Sequence, residues 1–316
     1  MSLPRVTIVG AGQVGATIAH LLALKGLADL TLIDVVDGLA QGKALDMSQA
    51  APVEGFRVSV RGTTDFDAMA GSRLVIVTAG LPRKPGMSRD DLLAANANIV
   101  GPIAERAGRL APDAVLIIVT NPLDIMVALA LQRSRLPRTR VMGMAGVLDS
   151  ARLRAFLAQR LSVAPSAVQA MVLGSHGDLM VPLRSSVTVD GQPVAGRLSG
   201  EELDRIFQRT RDGGAEIVAL LKQGGAFYAP ASGAAAMAAA ILGDAHAVLP
   251  VCARLEGEYG LRDVCIGVPA QLGAAGIERV VELPLAAEER AALAASAEKI
   301  RQGLQSLAAL QAAAKP

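Results

Sequence analysis

Several things are scarce in this 316-residue sequence, and each scarcity narrows what the chain can be. It has only two cysteines, Cys252 and Cys265, and neither sits in a C-x-x-C pair or a Cys/His cluster. A disulfide framework or a zinc site is therefore poorly supported, and a reducing compartment fits. Charge of one sign is also missing. The formal net charge of +2 leaves no basic field to attract nucleic acid or a membrane surface. Long apolar runs are absent as well. "PASGAAAMAAAILG" is the longest, too short for a span and rich in small residues, so it reads as a buried helix. No charged n-region followed by an apolar h-region precedes the first strand near Arg5, which argues against secretion and for a cytoplasmic protein. The chain carries three histidines, three asparagines and no tryptophan, so any role for the first two types has few candidates. Neither an internal repeat nor a low-complexity linker interrupts it.

What the sequence does have is a 52% apolar composition and the length for two domains or one large α/β unit. Its first half alternates helix-like segments with short apolar runs at 5–10, 30–35, 57–62, 74–80, 114–121 and 140–146. Runs without polar alternation mark strands covered on both faces, as in a parallel, doubly wound sheet. After about residue 148 the pattern changes. "VPLRSSVTVDGQPV" alternates around Asp190-Gly191 and reads as an antiparallel hairpin. Helices are expected near 199–222 and 229–243, a strand pair near 247–283, and a last helix from about 286 to 311. The expected fold is an N-terminal Rossmann domain over 1–148 followed by an α+β substrate domain over 149–316, closely packed with a site between them.

Four stretches carry chemistry. "GAGQVG", Gly10 to Gly15, follows a strand and precedes a helix, where glycines let the backbone approach a pyrophosphate at the helix N-terminus. Asp34 ends the second strand 19 residues after Gly15, placed to accept from ribose hydroxyls. Val35 follows it where a binder of 2′-phosphate often carries Arg, so NAD is favoured over NADP. "VTNPLD" puts Asn121, a donor and an acceptor, at the ligand-binding end of the fifth strand, although Asn-Pro is also a common turn dipeptide. In "GSHGD", His176 follows an apolar strand and is flanked by glycines. "GVLDSARLR" offers it a carboxylate partner, Asp149, with Arg152 one helical turn further on. His20 reads as a packing residue and His246 as part of a surface turn.

"GLPRKPGMSRDDLL" packs Arg83, Lys84 and Arg89 into a loop with two prolines. Ser88 and Asp91 fit a capping box, so a helix is expected to start at Arg89, with Gly80 and Gly86 as hinges of a lid over 81–93. A plain solvated loop is the alternative.

In their order, "VGAGQVG", "LIDV", "TAGLPRKPGMSRDDLL", "VTNPLD", "GVLDSARLR", "GSHGD" and "FYAPASG" resemble the lactate/malate dehydrogenase family over essentially the whole chain, most closely its lactate-dehydrogenase-like malate dehydrogenases. The resemblance implies that His176 is the proton acceptor and donor and Asp149 its partner. It implies that Arg152 grips the substrate C1 carboxylate, that Arg89 polarises the reacting carbonyl, and that Asn121 is shared by cofactor and substrate. Arg83 falls where lactate enzymes usually carry Gln and malate enzymes Arg, so a dicarboxylate is the implied substrate. On the cofactor side it implies NAD contacts at Gly10, Ala11, Gly12, Gln13, Val14, Gly15, Asp34, Asn96, Val119, Thr120 and Asn121, with no metal. Relatives form dimers or tetramers, so a homo-oligomer is expected, without nucleic acid or membrane partners. A lactate dehydrogenase, a metal-dependent glycosidase with a related core, and a binding protein that lost its chemistry are the rivals.

Overall fold

The structure is a computed structural model that describes residues 3–82 and 87–313. Arg83, Lys84 and Gly86 therefore lie outside the described residues. In chain order the elements are β1 (Arg5–Val9), α1 (Gln13–Lys25), β2 (Asp29–Ile33), α2 (Leu39–Glu54), β3 (Val60–Thr63), β4 (Leu74–Val77), α3 (Arg89–Leu110), β5 (Val115–Ile118), α4 (Leu123–Ser134) and β6 (Val141–Gly143). They continue with α5 (Gly146–Leu161), β7 (Val168–Gln169), β8 (Val172–Gly174), β9 (Met180–Pro182), β10 (Thr188–Val189), β11 (Gln192–Pro193), α6 (Gly200–Leu221), α7 (Tyr228–Leu242), β12 (Ala247–Glu256), β13 (Arg262–Gly273), β14 (Gly276–Val280) and α8 (Ala287–Ala313).

The first six strands pair in parallel in the order β3-β2-β1-β4-β5-β6. The residues of β4 and β5 are wholly buried, as β-branched runs lacking polar alternation require when helices cover both faces. Strand order reverses between β1 and β4, and the crevice beyond their carboxyl ends is where a doubly wound sheet binds ligands. The Gly10–Gly15 turn and residues 78–82 border that crevice.

The sheet does not stop at β6. It continues through the antiparallel strands β12, β13, β8 and β9, with β14 added on β13. The link is narrow: Cys252 on β12 faces Gly143 on β6. A Cβ at Gly143 would come within 3.1 Å of the Cys252 Cβ and 2.5 Å of Val127, so glycine permits the strands to meet. The two halves thus share one backbone ladder, and Cys252 and Cys265 are buried within it as free thiols.

Two expectations need correction. The stretch 181–194 is not one hairpin. Val181 and Pro182 pair with β8 in the main sheet, a short 3-10 turn at Arg184–Ser186 intervenes, and only β10 and β11 flank the Asp190-Gly191 turn. The alternation was real, but the turn at 184–186 sends its two ends into different sheets. Residues 247–283 form three strands rather than two, because the Gly276 turn (φ 103°) folds β14 back onto β13.

Candidate active site

The glycine turn is built to bring backbone close. Gly10 has φ 104°, and a Cβ there would sit 2.6 Å from the Ala79 nitrogen; one at Gly15 would overlap the Gly10 carbonyl at 1.9 Å. Gly12 differs, with open space within 4 Å of its missing Cβ. It is also the N-cap of α1, makes no side-chain cap, and is followed by no acidic residue in the first turn. Those unsatisfied N–H groups face exposed space, which suits an anionic pyrophosphate. Gln13 is exposed and Val14 half-buried beside them, while Ala11 is fully buried.

Asp34, just past β2, is anchored from both sides: its Oδ2 accepts the Ala11 N–H at 2.7 Å and its Oδ1 the Val36 N–H at 3.0 Å. The carboxylate is thereby fixed at the crevice edge with lone pairs remaining for hydroxyl donors. Val35 beyond it is exposed and apolar, offering nothing to hold a further phosphate.

Asn96 and Thr120 are buried and Val119 is half-buried. Asn96 is buried on α3. Its Oδ1 accepts from the Leu81 N–H at 2.7 Å, and its amide donates to the Leu81 carbonyl at 3.2 Å and the Asn121 carbonyl at 2.7 Å. Its amide hydrogens are both used, so it clamps two loops together. Thr120 donates to the Ala79 carbonyl at 2.7 Å, and the Val119 N–H continues the ladder to Val77. Asn121 alone of this group is exposed, and its side chain makes no hydrogen bond among the described residues.

His176, just past β8, meets Asp149 in the first turn of α5: Nδ1 and Asp149 Oδ2 are 2.9 Å apart. With Nδ1 engaged, Nε2 is the ring atom left for a reactant. Burial, the largest influence, pushes the imidazole toward neutrality. The Asp149 charge and hydrogen bond, with a further contribution from Asp124, outweigh it and raise the proton affinity above the usual histidine value, against the opposing Arg152 charge. Arg152 lies one turn along α5, its Nη1 3.5 Å from Asp149 Oδ1 and 3.4 Å from the Thr210 carbonyl, with only 10% of its side chain exposed.

Ser88 caps α3 by accepting from the Asp91 N–H at 3.0 Å while the Asp91 carboxylate accepts from the Ser88 N–H, so the helix begins at Arg89 as the spacing implied. Arg89 is 75% exposed and 3.5 Å from Asp178, itself 86% exposed. An ion pair this wet is worth about 0–1 kcal/mol, too little to hold the guanidinium against a better anionic partner. Arg89, Asn121, Asp124, His176 and Asp178 line one cavity of about 550 Å³, whose far wall is α8. Arg152 does not line this cavity in the structure and sits beside Asp149, one turn along α5.

Three residues escaped the sequence reading. Asp124, inside the quoted "VTNPLD", is buried and accepts the His176 backbone N–H through Oδ2 at 3.0 Å. Ser296 on α8 accepts the N–H of Ser175 at 2.8 Å. Gly213 on α6 leaves room for Arg152, whose Cδ would lie 2.4 Å from a Cβ there. Only the Gly213-Gly214 pair inside an otherwise regular helical stretch was a visible signal. Away from the cleft, His246 Nδ1 lies 2.8 Å from Glu278 and Nε2 3.7 Å from Asp244. Opposite edges of one ring thus face two carboxylates. Accepting the ring N–H, Glu278 raises the proton affinity of His246.

A histidine backed by a buried carboxylate, facing a cleft beside a glycine-rich nucleotide turn, is the machinery of a dinucleotide-dependent dehydrogenase, and that is the class the fold and site define. More narrowly, the chain belongs to the lactate/malate dehydrogenase family: the family's NAD-binding domain matches residues 4–143 and its alpha/beta C-terminal domain residues 146–311. A malate dehydrogenase of Nostoc punctiforme is 54% identical over 304 residues, covering 96% of this chain and 93% of the relative. Among solved structures, Cryptosporidium parvum malate dehydrogenase superposes with a TM-score of 0.95 at 44% identity, covering 97% of this chain and 99% of that one. The lactate dehydrogenase of the same organism, solved with lactic acid and nicotinamide adenine dinucleotide, gives 0.94 at 39% identity over 97% and 98%. Backbone shape therefore does not separate the two activities.

Proposed function

We propose that this protein is an NAD-dependent malate dehydrogenase, interconverting (S)-malate and oxaloacetate. The 2.9 Å bond between His176 Nδ1 and the buried Asp149 carboxylate carries the reading, because it fixes the ring and stabilises its cation. The cradle at Gly12 and the anchored Asp34 fit NAD, which when bound supplies the acceptor for the substrate C2 hydride. Gly10 through Gly15 then hold the pyrophosphate, Asp34 the ribose, and Asn121 the edge shared with substrate. Asn96, Val119 and Thr120 complete the cofactor contact at that edge.

His176 Nε2 takes the 2-hydroxyl proton in malate oxidation and returns it in oxaloacetate reduction, so the ring must begin neutral in the first direction and protonated in the second. Arg152 presents a guanidinium fork to the substrate C1 carboxylate. Arg89 leaves Asp178 for the reacting carbonyl. Arg83, by its place in the sequence, takes the second carboxylate. The relatives named malate dehydrogenase support this choice over lactate. The division of labour between a nucleotide half, 1–148, and a substrate half, 149–316, follows the same lines. No helix among the described residues is long and apolar enough to cross a membrane, and we place the protein in the cytoplasm. The exposed apolar side chains of Leu45 and Val53 on α2 support a homo-oligomer.

The test is NADH oxidation with oxaloacetate and pyruvate side by side at matched concentrations. A preference for oxaloacetate of several hundredfold is expected; a preference for pyruvate would make this a lactate dehydrogenase, and turnover of neither would leave only nucleotide binding.

Gly213 offers a second check. Ala is the better helix former by roughly 0.5–1 kcal/mol, but its Cβ would displace Arg152. Gly213→Ala is expected to lower the melting temperature modestly, since overpacking against a buried side chain costs about 1–3 kcal/mol. It should raise the KM for oxaloacetate more than it lowers kcat, with kcat/KM down by up to about 100-fold, the cost of misplacing a group by about 1 Å. An unchanged KM would show that Arg152 does not need that space.

A further inference from the structure

Asp124 is a carboxylate without an assigned task. It sits in the first turn of α4, where the helix dipole favours an anion, yet it turns inward to 5% exposure. Oδ2 accepts the His176 N–H at 3.0 Å, across 52 residues of sequence. Oδ1 is buried with no hydrogen-bonding partner among the described residues. An unpaired buried oxygen of a charged group costs about 1–3 kcal/mol or more. An asparagine could accept the same N–H without that penalty of charge, so the charge needs its own explanation.

The surroundings supply it. The groups that act on the imidazole are Asp149 and Arg152 from α5 and Asp124 from α4. The thiols of Cys252 on β12 and Cys265 on β13 are buried near enough to feel the Asp124 charge, and the exposed Arg89 and Asp178 stand at the cleft mouth with Lys299 of α8. Ser296 pins the preceding peptide from the α8 side. The backbone that carries His176 is thus held from two elements, and only one of the two acceptors is charged.

Resting on the reading of His176 as the proton-transfer group, we propose that Asp124 is a second positioning carboxylate. It fixes the His176 peptide through the backbone N–H and places a negative charge behind the imidazole, complementing Asp149 at Nδ1. Burial pushes Asp124 up to about 6, with the Cys252 thiol and the His176 charge pulling it back. It is therefore an anion at neutral pH and loses its charge as the solution becomes mildly acidic. A neighbouring negative charge favours the imidazolium, so removing it lowers the proton affinity of His176. The consequence has one sign in both directions of reaction. The alkaline limb of oxaloacetate reduction, which needs protonated His176, and the acid limb of malate oxidation, which needs it neutral, both move to lower pH.

Asp124→Asn keeps an acceptor for the N–H and deletes the charge; Asp124→Ala deletes both. The expected result for Asp124→Asn is an acid shift of both limbs by about one pH unit. Asp124→Ala should add a fall in kcat of roughly tenfold or more through the freed peptide. The direct readout is titration of the His176 ring by NMR of carbon-13-labelled histidine, simple in a chain with three histidines, assigned by the resonance lost in His176→Gln. That titration needs no substrate, so it stands or falls separately from the assigned activity. Superimposable titration curves for wild type and Asp124→Asn would overturn the proposal and leave Asp124 a structural acceptor only. If Asp124→Asn does not fold, Asp124→Ser decides: it keeps an acceptor oxygen without the charge and should shift the His176 curve to lower pH, and an unmoved curve would overturn the proposal.

Discussion

His176→Asn is expected to lower kcat for oxaloacetate reduction by roughly 10²- to 10⁴-fold, the range that a positioned general acid–base group contributes. The amide can fill the space and make one hydrogen bond to Asp149, but it cannot carry a proton at the Nε2 position. NADH affinity should hold, because the glycine turn and Asp34 are held by their own bonds and not by His176. The absence of tryptophan helps here, since no indole energy transfer obscures NADH fluorescence. The pH dependence carries a second signature. Asp149 raises the proton affinity of the ring despite its burial, so wild-type reduction stays active above the ordinary histidine value near 6.5 and declines as His176 deprotonates. That limb should vanish in the variant. Retention of more than about a tenth of kcat, with the limb intact, would assign the proton to another group.

Arg83→Gln should have an effect of similar size and narrower reach. Truncating one partner of a desolvated, hydrogen-bonded charge pair costs about 2–5 kcal/mol, or about 30- to several-thousand-fold in kcat/KM. A solvated arginine costs about 0–1 kcal/mol. Oxaloacetate should suffer the larger loss while pyruvate, which has no second carboxylate, holds or gains. The two outcomes lie far enough apart that steady-state kinetics on both substrates decides. Equal loss on both would remove Arg83 from selectivity and make it a general contributor to affinity. The comparison matters because the fold cannot decide: a lactate and a malate dehydrogenase superpose on this chain with TM-scores of 0.94 and 0.95.

Much of the site could be read along the chain because its parts are local. A capping box is a four-residue pattern, and Ser88 and Asp91 form it with the helix starting at Arg89. Asp149 and Arg152 share one helix face because three residues make nearly one turn, and they pair at 3.5 Å. Apolar runs without alternation require cover on both faces, and β4 and β5 have it. The glycine turn needs Gly10 at positive φ and Gly15 against the Gly10 carbonyl, constraints that any strand-turn-helix of this kind imposes on its own sequence.

Other features exist only once distant segments meet. Asn96 shows nothing in sequence of the bonds that tie its amide to Leu81 and Asn121. Asp124 reads as an ordinary first-turn acid until α4 packs beneath the His176 peptide. Gly213 reads as a weak point in α6 until Arg152 of α5 occupies the space its missing side chain leaves. Residues 181–194 show a correct alternation whose two ends belong to different sheets. Periodicity, capping and turn chemistry are properties of neighbours in sequence, so sequence by itself determined the parallel strands of the first half, the helix start at Arg89 and the glycine turn. Which buried acceptor answers which distant N–H depends on how helices and strands pack, and only the tertiary structure decided it.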